Sequence, residues 1–258
     1  MKKCLIFLLI LLCASMAGCT SEKNMQAEEH VYSHRGASGE EIEHTLAAYD
    51  LAVLYGSKYI EQDIVISKDG TLYVSHDQNA KRITGVDALY SDMTDEEIAT
   101  LSTEDEQKIL KLEEVFKRYG ASFTYVIELK TEGKTVDKFI EIVELYGKED
   151  QIILQCFNAQ VLQEIEKVYP DMPKMYLVSK QENFEAGLEL EYVDILSVSK
   201  KIMNQENCAL AHKKGKLFNV FTLNTTEEIK SAIELGVDSY FTNYTAKAIA
   251  LEKEYRTN

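Results

Sequence analysis

The sequence predicts an α/β chain folded as a (β/α)8 barrel, the TIM-barrel class, with a small insertion after a hairpin that ends at His76-Asp77. Short apolar runs typical of strands occur eight times and are separated by stretches of helical periodicity, the pattern expected of a parallel barrel. A doubly wound open sheet is the alternative. That fold usually carries a glycine-rich phosphate loop, and the chain contains no G-x-G-x-x-G or P-loop pattern.

The predicted strands and helices alternate along the chain in a regular order. Leaving out the returning arm of the hairpin, the strands begin near residues 31, 58, 122, 151, 174, 192, 217 and 239. Helices are predicted at Thr45–Gly56, Lys111–Tyr119, Val136–Tyr146, Ala159–Val168, Glu182–Leu190, Glu206–Lys214 and Thr226–Leu235. The polar stretch 78–108 is predicted to be the insertion, and Thr94 with Glu97 forms a capping box for a short helix, Thr94–Leu101, inside it.

The second predicted strand carries two acidic residues on one face. Residues 59–64 alternate apolar and acidic side chains, so Glu61 and Asp63 point the same way. Asp69-Gly70 then marks a tight turn. The apolar run 71–75 has to return antiparallel, because parallel neighbours need a dozen or more connecting residues.

The N-terminus is predicted to be a targeting segment rather than part of the fold. Lys2-Lys3 is followed by the apolar run Leu5–Leu12, and small residues then precede Cys19. This resembles the lipobox of bacterial lipoproteins, with an ordinary secretory signal as the alternative. We therefore expect a signal peptide at 1–18, a lipidated Cys19 with a tether to residue 30, one barrel domain at 31–258, and an extracytoplasmic, membrane-anchored protein.

Composition limits the partners of the domain. Hydrophobic residues make up 45% of the 258 residues, and with only 2 prolines and 12 glycines no linker divides the chain. The formal charge of −15 disfavours nucleic acid as a partner. A small anionic substrate would need a local cationic site. Cys156 and Cys208 would remain in the mature domain, and their spacing does not decide whether they pair.

Three carboxylates at predicted strand ends, Glu61, Asp63 and Glu128, indicate a metal site. Ligands that are all oxygen suit a hard divalent cation such as Mg²⁺ or Ca²⁺. Lys130 shares a strand face with Glu128, so its ammonium group could meet an anion bound to that metal. A buried network of ion pairs without a metal is the alternative.

Two histidines follow apolar runs near these carboxylates. Because histidine titrates near neutral pH, His34 and His76 are candidates for a general acid and base pair. Arg35 has the geometry of a bidentate phosphate ligand, which is consistent with phosphodiester chemistry. His30 and His212 are predicted to have no role, and the role of His44 is left open.

Taken in order, these segments resemble the glycerophosphodiester phosphodiesterase family from about His34 to Thr245. The N-terminal part of the resemblance consists of His34-Arg35-Gly36, Glu43-His44-Thr45, Ile60-Glu61-Gln62-Asp63-Ile64, Lys68-Asp69-Gly70 and His76-Asp77. The later part consists of Ile127-Glu128-Leu129-Lys130, Phe221-Thr222-Leu223-Asn224, Gly236-Val237-Asp238 and Phe241-Thr242-Asn243.

The resemblance implies a metal-dependent barrel that hydrolyses glycerophosphodiesters to glycerol 3-phosphate and an alcohol. It implies that His34 and His76 form the acid and base pair. It further implies the following roles for the other candidates: metal ligands Glu61, Asp63 and Glu128; phosphate ligands Arg35 and Lys130; and a further site residue, Glu43. In the family mechanism a neighbouring glycerol hydroxyl attacks phosphorus, and water then opens the resulting cyclic phosphate.

The chain departs from the family pattern at six positions. It has Ile42 where the family usually has Pro, His44 for Asn, Cys156 for Ser, Asn158 for Asp, Phe221 for Trp and Asn243 for Asp. The alternative functions are another barrel enzyme, such as a phospholipase D-like enzyme acting on lysolipids or a phosphatidylinositol-specific phospholipase C, and a lipoprotein that binds glycerophosphodiesters without hydrolysing them.

Overall fold

Eight parallel strands close into a barrel in the computed structural model, which describes residues 27–256. Neighbouring strands pair in the order β1-β2-β4-β5-β6-β7-β8-β9, and the pairing of β9 with β1 closes the ring. The strands are β1 (Val31–Ser33), β2 (Tyr59–Ile66), β3 (Leu72–Val74), β4 (Thr124–Leu129), β5 (Ile152–Cys156), β6 (Lys174–Val178), β7 (Ile195–Ser199), β8 (Leu217–Phe221) and β9 (Ser239–Thr242). The predicted fold class is confirmed.

Helices connect the strands around the outside of the barrel. They are α1 (Leu46–Leu54), α2 (Lys81–Thr84), α3 (Asp95–Ile98), α4 (Leu112–Tyr119), α5 (Lys134–Tyr146), α6 (Ala159–Val168), α7 (Gln181–Leu188), α8 (Gln205–Lys213), α9 (Thr226–Glu234) and α10 (Thr245–Tyr255). The predicted capping box of Thr94 and Glu97 begins α3. Helix α10 was not predicted from the sequence, and its N-cap residue, Tyr244, makes no side-chain capping bond.

The hairpin extends β2 beyond its neighbours. As predicted, β3 runs antiparallel to β2, with Val74 opposite Ile64. Glu61 and Asp63 therefore lie in the middle of β2 rather than at its end. They are nevertheless level with the carboxyl ends of the flanking strands, since β1 ends opposite Ile60 and β4 ends opposite Ile64. The hairpin thus keeps both acidic residues at the mouth of the barrel.

Apolar side chains fill the barrel beneath this mouth. The layer includes Tyr32, Val126, Met175, Ile195 and Phe241, all of which are buried. Tyr59 stacks on Tyr32 with ring centroids 4.4 Å apart. Tyr59, Glu61 and Asp63 share one face of β2, so the acidic residues lie directly above the apolar layer on that face. A larger apolar layer lies between the strands and the helices.

The insertion packs on the hairpin through a small apolar cluster of its own. Tyr90, Met93, Ile98 and Leu101 pack with Val65 and Tyr73 of the hairpin strands. Ser67 and Thr71 of the hairpin also donate hydrogen bonds to Asp95. These contacts fix the insertion beside the mouth of the barrel.

The described chain begins at the opposite end of the barrel from the mouth. Ala27–Glu29 form a turn of 3₁₀ helix, and Glu28 pairs with Lys253 of α10 at 2.5 Å. His30 is buried, and its Nδ1 donates to the carbonyl oxygen of Asp238, just before β9, at 2.6 Å. Residues 27–30 therefore belong to the barrel rather than to the predicted tether. Cys19 and the predicted signal peptide lie outside the described residues.

Two further observations bear on the remaining predictions. Cys156 in β5 and Cys208 in α8 are both buried free thiols, and burial raises the pKa of each to about 11. No helix among residues 27–256 combines the length and hydropathy needed to cross a membrane.

Candidate functional site

Three buried carboxylates meet at the mouth of the barrel. Glu61 and Asp63 come from β2, and Glu128 comes from β4, where it lies directly opposite Asp63 in the strand register. One carboxylate oxygen from each of the three lies within 4.8 Å of the others. The structure therefore brings together the three residues that sequence analysis predicted as metal ligands.

The pKa values of the three carboxyl groups in this cluster are shifted in different directions. Burial, with the charge of Asp63, raises the pKa of Glu61 well above its usual range and raises that of Glu128 to about 8. Asp63 behaves in the opposite way. Burial would raise its pKa, but the hydrogen bond from His44 and the charge of Lys130 hold it well below the usual range.

Lys130 and Arg35 supply positive charge to the cluster. The Nζ of Lys130 lies 2.8 Å from Oε1 of Glu128 and 3.0 Å from Oδ1 of Asp63. The Nε of Arg35 lies 3.4 Å from Oδ2 of Asp63. Burial alone would lower the pKa of Lys130, but Asp63 and Glu128 raise it. Both predicted phosphate ligands therefore lie where an anion near the carboxylates would meet them.

The loop between β1 and α1 presents Arg35 in an unusual backbone conformation. Arg35 and His44 both have φ of 60°, a left-handed conformation that non-glycine residues rarely adopt. The next residue, Gly36, has φ of 85°, and a Cβ there would lie 2.8 Å from the backbone of Ala48. The resulting turn aims the backbone N–H of Arg35 at Oε2 of Glu61, 3.1 Å away.

His34 contacts the edge of the carboxylate cluster. Its Nε2 lies 3.6 Å from Oε2 of Glu61, and its Nδ1 lies 2.7 Å from Oδ1 of Asn243. Since an amide oxygen only accepts hydrogen bonds, Nδ1 is the donor and Nε2 faces the site without its proton. Burial, with the charge of Arg35, lowers the pKa of His34 to about 3.

His76 lines the same pocket from the end of the hairpin. Its Nδ1 donates to Oδ1 of Asp77 at 2.7 Å, and burial together with the charge of Lys130 lowers its pKa. The pocket has a volume of about 170 Å³, and Phe157, Phe221 and Phe241 form an apolar wall in it. The pocket also contains the predicted residues His34, Arg35, Glu61, Glu128 and Lys130. The two predicted histidines therefore face one small cavity.

The structure adds contacts that the sequence did not predict. His44, whose role was left open, lies with Nε2 2.9 Å from Oδ2 of Asp63 and Nδ1 2.9 Å from Oη of Tyr49. Gln155 of β5 donates its Nε2 to Oε1 of Glu61 at 2.8 Å. A signal for Gln155 was present, because it is a polar residue inside an otherwise apolar strand.

The predicted site residue Glu43 lies at the edge of this group and joins two arginines. Its Oε1 accepts from Arg35 at 3.1 Å and from Arg82, in the insertion, at 2.8 Å. Burial opposes ionisation, but Arg82 and Arg35 lower the pKa of Glu43 to about 2. Arg82 was not among the site residues predicted from the sequence.

Carboxylates, histidines and fixed cations at the mouth of a (β/α)8 barrel define an enzyme whose site is suited to phosphodiester chemistry. Residues 34–247 match the family model described as the glycerophosphoryl diester phosphodiesterase family. The chain belongs to this family, and it is therefore an enzyme of the phosphoric diester hydrolase class, as predicted.

Individual relatives are similar to the chain over most of its length. A glycerophosphodiester phosphodiesterase of Bacillus subtilis is 28% identical over 266 residues, covering 91% of each chain. The crystal structure of a glycerophosphodiester phosphodiesterase from Thermotoga maritima is 30% identical with a TM-score of 0.75, covering 86% of this chain and 97% of its own. A phosphodiesterase from Oleispira antarctica, solved in complex with the product sn-glycerol-3-phosphate, has the same fold, with a TM-score of 0.80 at 24% identity, covering 89% of this chain and 100% of its own.

The donor set of the acidic cluster fits a divalent metal. All three candidate ligands are carboxylates, they are buried, and their oxygens are close enough to reach a common ion. Oxygen donors of this kind suit a hard cation better than zinc. The arrangement could thus hold a divalent cation through Glu61, Asp63 and Glu128.

Proposed function

We propose that the enzyme hydrolyses glycerophosphodiesters to glycerol 3-phosphate and an alcohol, with His34 and His76 as its acid and base and a divalent cation, Mg²⁺ or Ca²⁺, as its cofactor. One observation supports this proposal most directly. A single pocket is lined by both histidines, by Glu61 and Glu128 of the acidic cluster, and by Arg35 and Lys130. Binding alone would not require an acid and base pair beside the phosphate ligands.

The side chains of the pocket have separate roles in an in-line displacement at phosphorus. Arg35 and Lys130 hold the phosphate oxygens by charge-assisted hydrogen bonds. One histidine accepts the proton of the neighbouring glycerol hydroxyl as that oxygen attacks phosphorus, and the other donates a proton to the leaving alkoxide. In the second step water opens the cyclic phosphate, and the two histidines exchange roles.

The three carboxylates would hold the metal beside this phosphate. When bound there, a divalent cation would neutralise phosphate charge and help to orient the attacking hydroxyl. Phe157, Phe221 and Phe241 give the pocket one apolar wall. Low local polarity strengthens the contacts that Arg35 and Lys130 make with the phosphate.

We propose further that Cys19 carries lipid and anchors the enzyme to the outer side of the bacterial membrane. The support is the order of a basic start, a short apolar run and small residues before Cys19. Metabolic labelling of the full chain with a palmitate analogue tests this proposal. Label in the wild type that is lost in Cys19→Ala would support it, and unlabelled wild type would overturn it.

Release of glycerol 3-phosphate from glycerophosphocholine by residues 27–258 tests the activity. The assay is run with EDTA and then with Mg²⁺ or Ca²⁺ restored, for the wild type and for His34→Ala, His76→Ala and Glu61→Ala. We expect release that depends on metal and falls by at least about a hundredfold in each variant. The exposed residue Glu185 on α7 offers a matched control, Glu185→Ala, which should retain full activity.

Two outcomes would separate the alternatives. Release of choline and lysophosphatidic acid from lysophosphatidylcholine, with no product from glycerophosphocholine, would assign a phospholipase D-like enzyme. Substrate binding without any product, under every metal tested, would assign a binding lipoprotein and overturn the proposed hydrolysis.

A further inference from the structure

We propose that Arg82, on helix α2 of the insertion, is a positioning residue that holds His76 and Arg35 in their working orientations at the same time. The inference rests on the proposed function, because it concerns how that site is held. Arg82 does not itself line the pocket that contains His34 and His76. It acts through two carboxylates, Asp77 and Glu43.

The first connection runs from Arg82 to His76. The Nε of Arg82 donates to Oδ2 of Asp77 at 2.5 Å, and the other oxygen of Asp77, Oδ1, accepts from Nδ1 of His76 at 2.7 Å. Asp77 therefore uses one oxygen for each partner. Because Nδ1 carries the proton, Nε2 of His76 is the nitrogen left free for proton transfer.

The second connection runs from Arg82 to Arg35. Two nitrogens of Arg82 donate to the two oxygens of Glu43, Nη1 to Oε2 at 3.0 Å and Nη2 to Oε1 at 2.8 Å. This is a bidentate pair, which fixes orientation as well as distance. Oε1 of Glu43 also accepts from Nη1 of Arg35 at 3.1 Å.

These two connections use all three nitrogens of one guanidinium group. A planar group with donors on both edges can bind two carboxylates in fixed relative positions, and an ammonium group cannot reproduce that geometry. Arg82 thus ties the end of the hairpin, which carries His76, to the β1–α1 loop, which carries Arg35. The two segments are distant in sequence, and the bond from Arg82 to Glu43 joins residues that are 39 positions apart.

An ordinary surface ion pair is the competing explanation. The side chain of Arg82 is 46% exposed, and exposed ion pairs usually contribute little to stability. Arg82 differs from an ordinary surface arginine in the partners that it binds. Glu43 and Asp77 each hold a residue of the pocket, so the loss of Arg82 should change catalysis more than folding.

The test compares Arg82→Met, Arg82→Lys and Arg82→Ala with wild type in the assay on glycerophosphocholine. We expect kcat to fall about 10- to 100-fold in Arg82→Met, the usual cost of losing a group that orients an active residue, with a smaller rise in KM. Arg82→Lys should recover only part of kcat. Added guanidinium chloride at millimolar concentration should raise kcat of Arg82→Ala several-fold.

Arg118 provides a matched control. It is 48% exposed and makes two hydrogen bonds to one carboxylate, Asp50, on the outside of the barrel. Arg118→Met should change kcat by less than twofold. An equal loss of kcat in the Arg118 and Arg82 variants would show that any broken surface pair has this effect and would overturn the proposal.

A measurement independent of turnover is the ¹⁵N chemical shift of the His76 ring. In the wild type we expect the shifts of a neutral ring with its proton on Nδ1, and in Arg82→Met we expect a mixture of the two tautomers. Wild-type shifts in the variant together with unchanged kcat would overturn the proposal. An inactive wild type would instead count against the proposed function, and the tautomer measurement would still decide the role of Arg82.

Discussion

The Nδ1 atom of His34 lies 2.7 Å from the Oδ1 atom of Asn243, across the junction of β1 and β9. An aspartate at this position would place a full negative charge beside the ring. The amide oxygen of Asn243 fixes the ring but offers only a dipole. Together with burial and the charge of Arg35, this weak support leaves His34 with its pKa lowered to about 3.

We therefore expect Asn243→Asp to raise the pKa of His34 by about one unit or more, because an opposite charge in contact favours the imidazolium form. The pKa is measured by NMR titration of the ring. We also expect kcat to increase, since a histidine in proton transfer works best with a pKa nearer to the working pH. Asn204→Asp adds the same charge at the start of α8 and should change neither quantity; an unaltered His34 pKa in Asn243→Asp would contradict the argument.

Replacing Lys130 should have opposite effects on the binding of metal and the binding of substrate. Its ammonium group contacts two of the three candidate metal ligands, so Lys130→Met should tighten the binding of Mg²⁺ or Ca²⁺ by about tenfold. The same change should raise KM at least about tenfold, because a charge-assisted contact with the phosphate is lost. Calorimetry gives the first value and steady-state kinetics the second. Weaker metal binding in the variant would show that Lys130 supports the ion rather than competing with it.

His44 is expected to hold Asp63 in place for the metal. Its ring contacts Oδ2 of Asp63 on one side and Tyr49 on the other. His44→Ala should weaken metal binding about 10- to 100-fold, the usual cost of removing a residue that orients a ligand. His44→Asn should be milder, because asparagine tolerates the φ of 60° and keeps a donor. Equal metal affinity in His44→Ala and wild type, measured by calorimetry, would rule this role out.

Glu43 leads to a prediction about acid stability. Its pKa is lowered to about 2 from the ordinary 4.5, so its ionised form stabilises the fold above about pH 4.5, and that stabilisation is lost as the pH falls towards 2. Since Arg82 is partly exposed, we expect about 1–2 kcal/mol at pH 7. Glu43→Gln should lower the free energy of unfolding by that amount at pH 7 and by less than half as much at pH 3. Urea denaturation at both values measures it, and a difference independent of pH would exclude this linkage.

Much of the barrel could be predicted because each strand is a continuous apolar run with a helical stretch after it. The hairpin followed from Asp69-Gly70, which leaves no room for a crossover. Helix α10 was missed because its N-cap residue, Tyr244, is not of the Ser, Thr, Asp or Asn type that usually marks the start of a helix. Local sequence was thus sufficient wherever a strand or helix is bounded by recognisable turn or capping residues.

The site was only partly visible in the sequence for a different reason. Glu61 and Asp63 share a strand face by local periodicity, so their proximity could be inferred from spacing alone. Arg82 lies in a polar segment without periodicity, and its contact with Glu43 depends on how the insertion folds onto the hairpin. Asn243 likewise contacts His34 across 209 residues, through the closure of β9 on β1.

The place where the described chain begins has a consequence for which diesters the enzyme can reach. Ala27–Glu29 pack at the end of the barrel where the strands start, on the side away from His34 and His76. Under the proposed anchoring at Cys19, the anchored segment would join the barrel at the end opposite the catalytic mouth. The anchored segment would then leave the pocket lined by His34 and His76 open to soluble diesters that diffuse in from the surroundings.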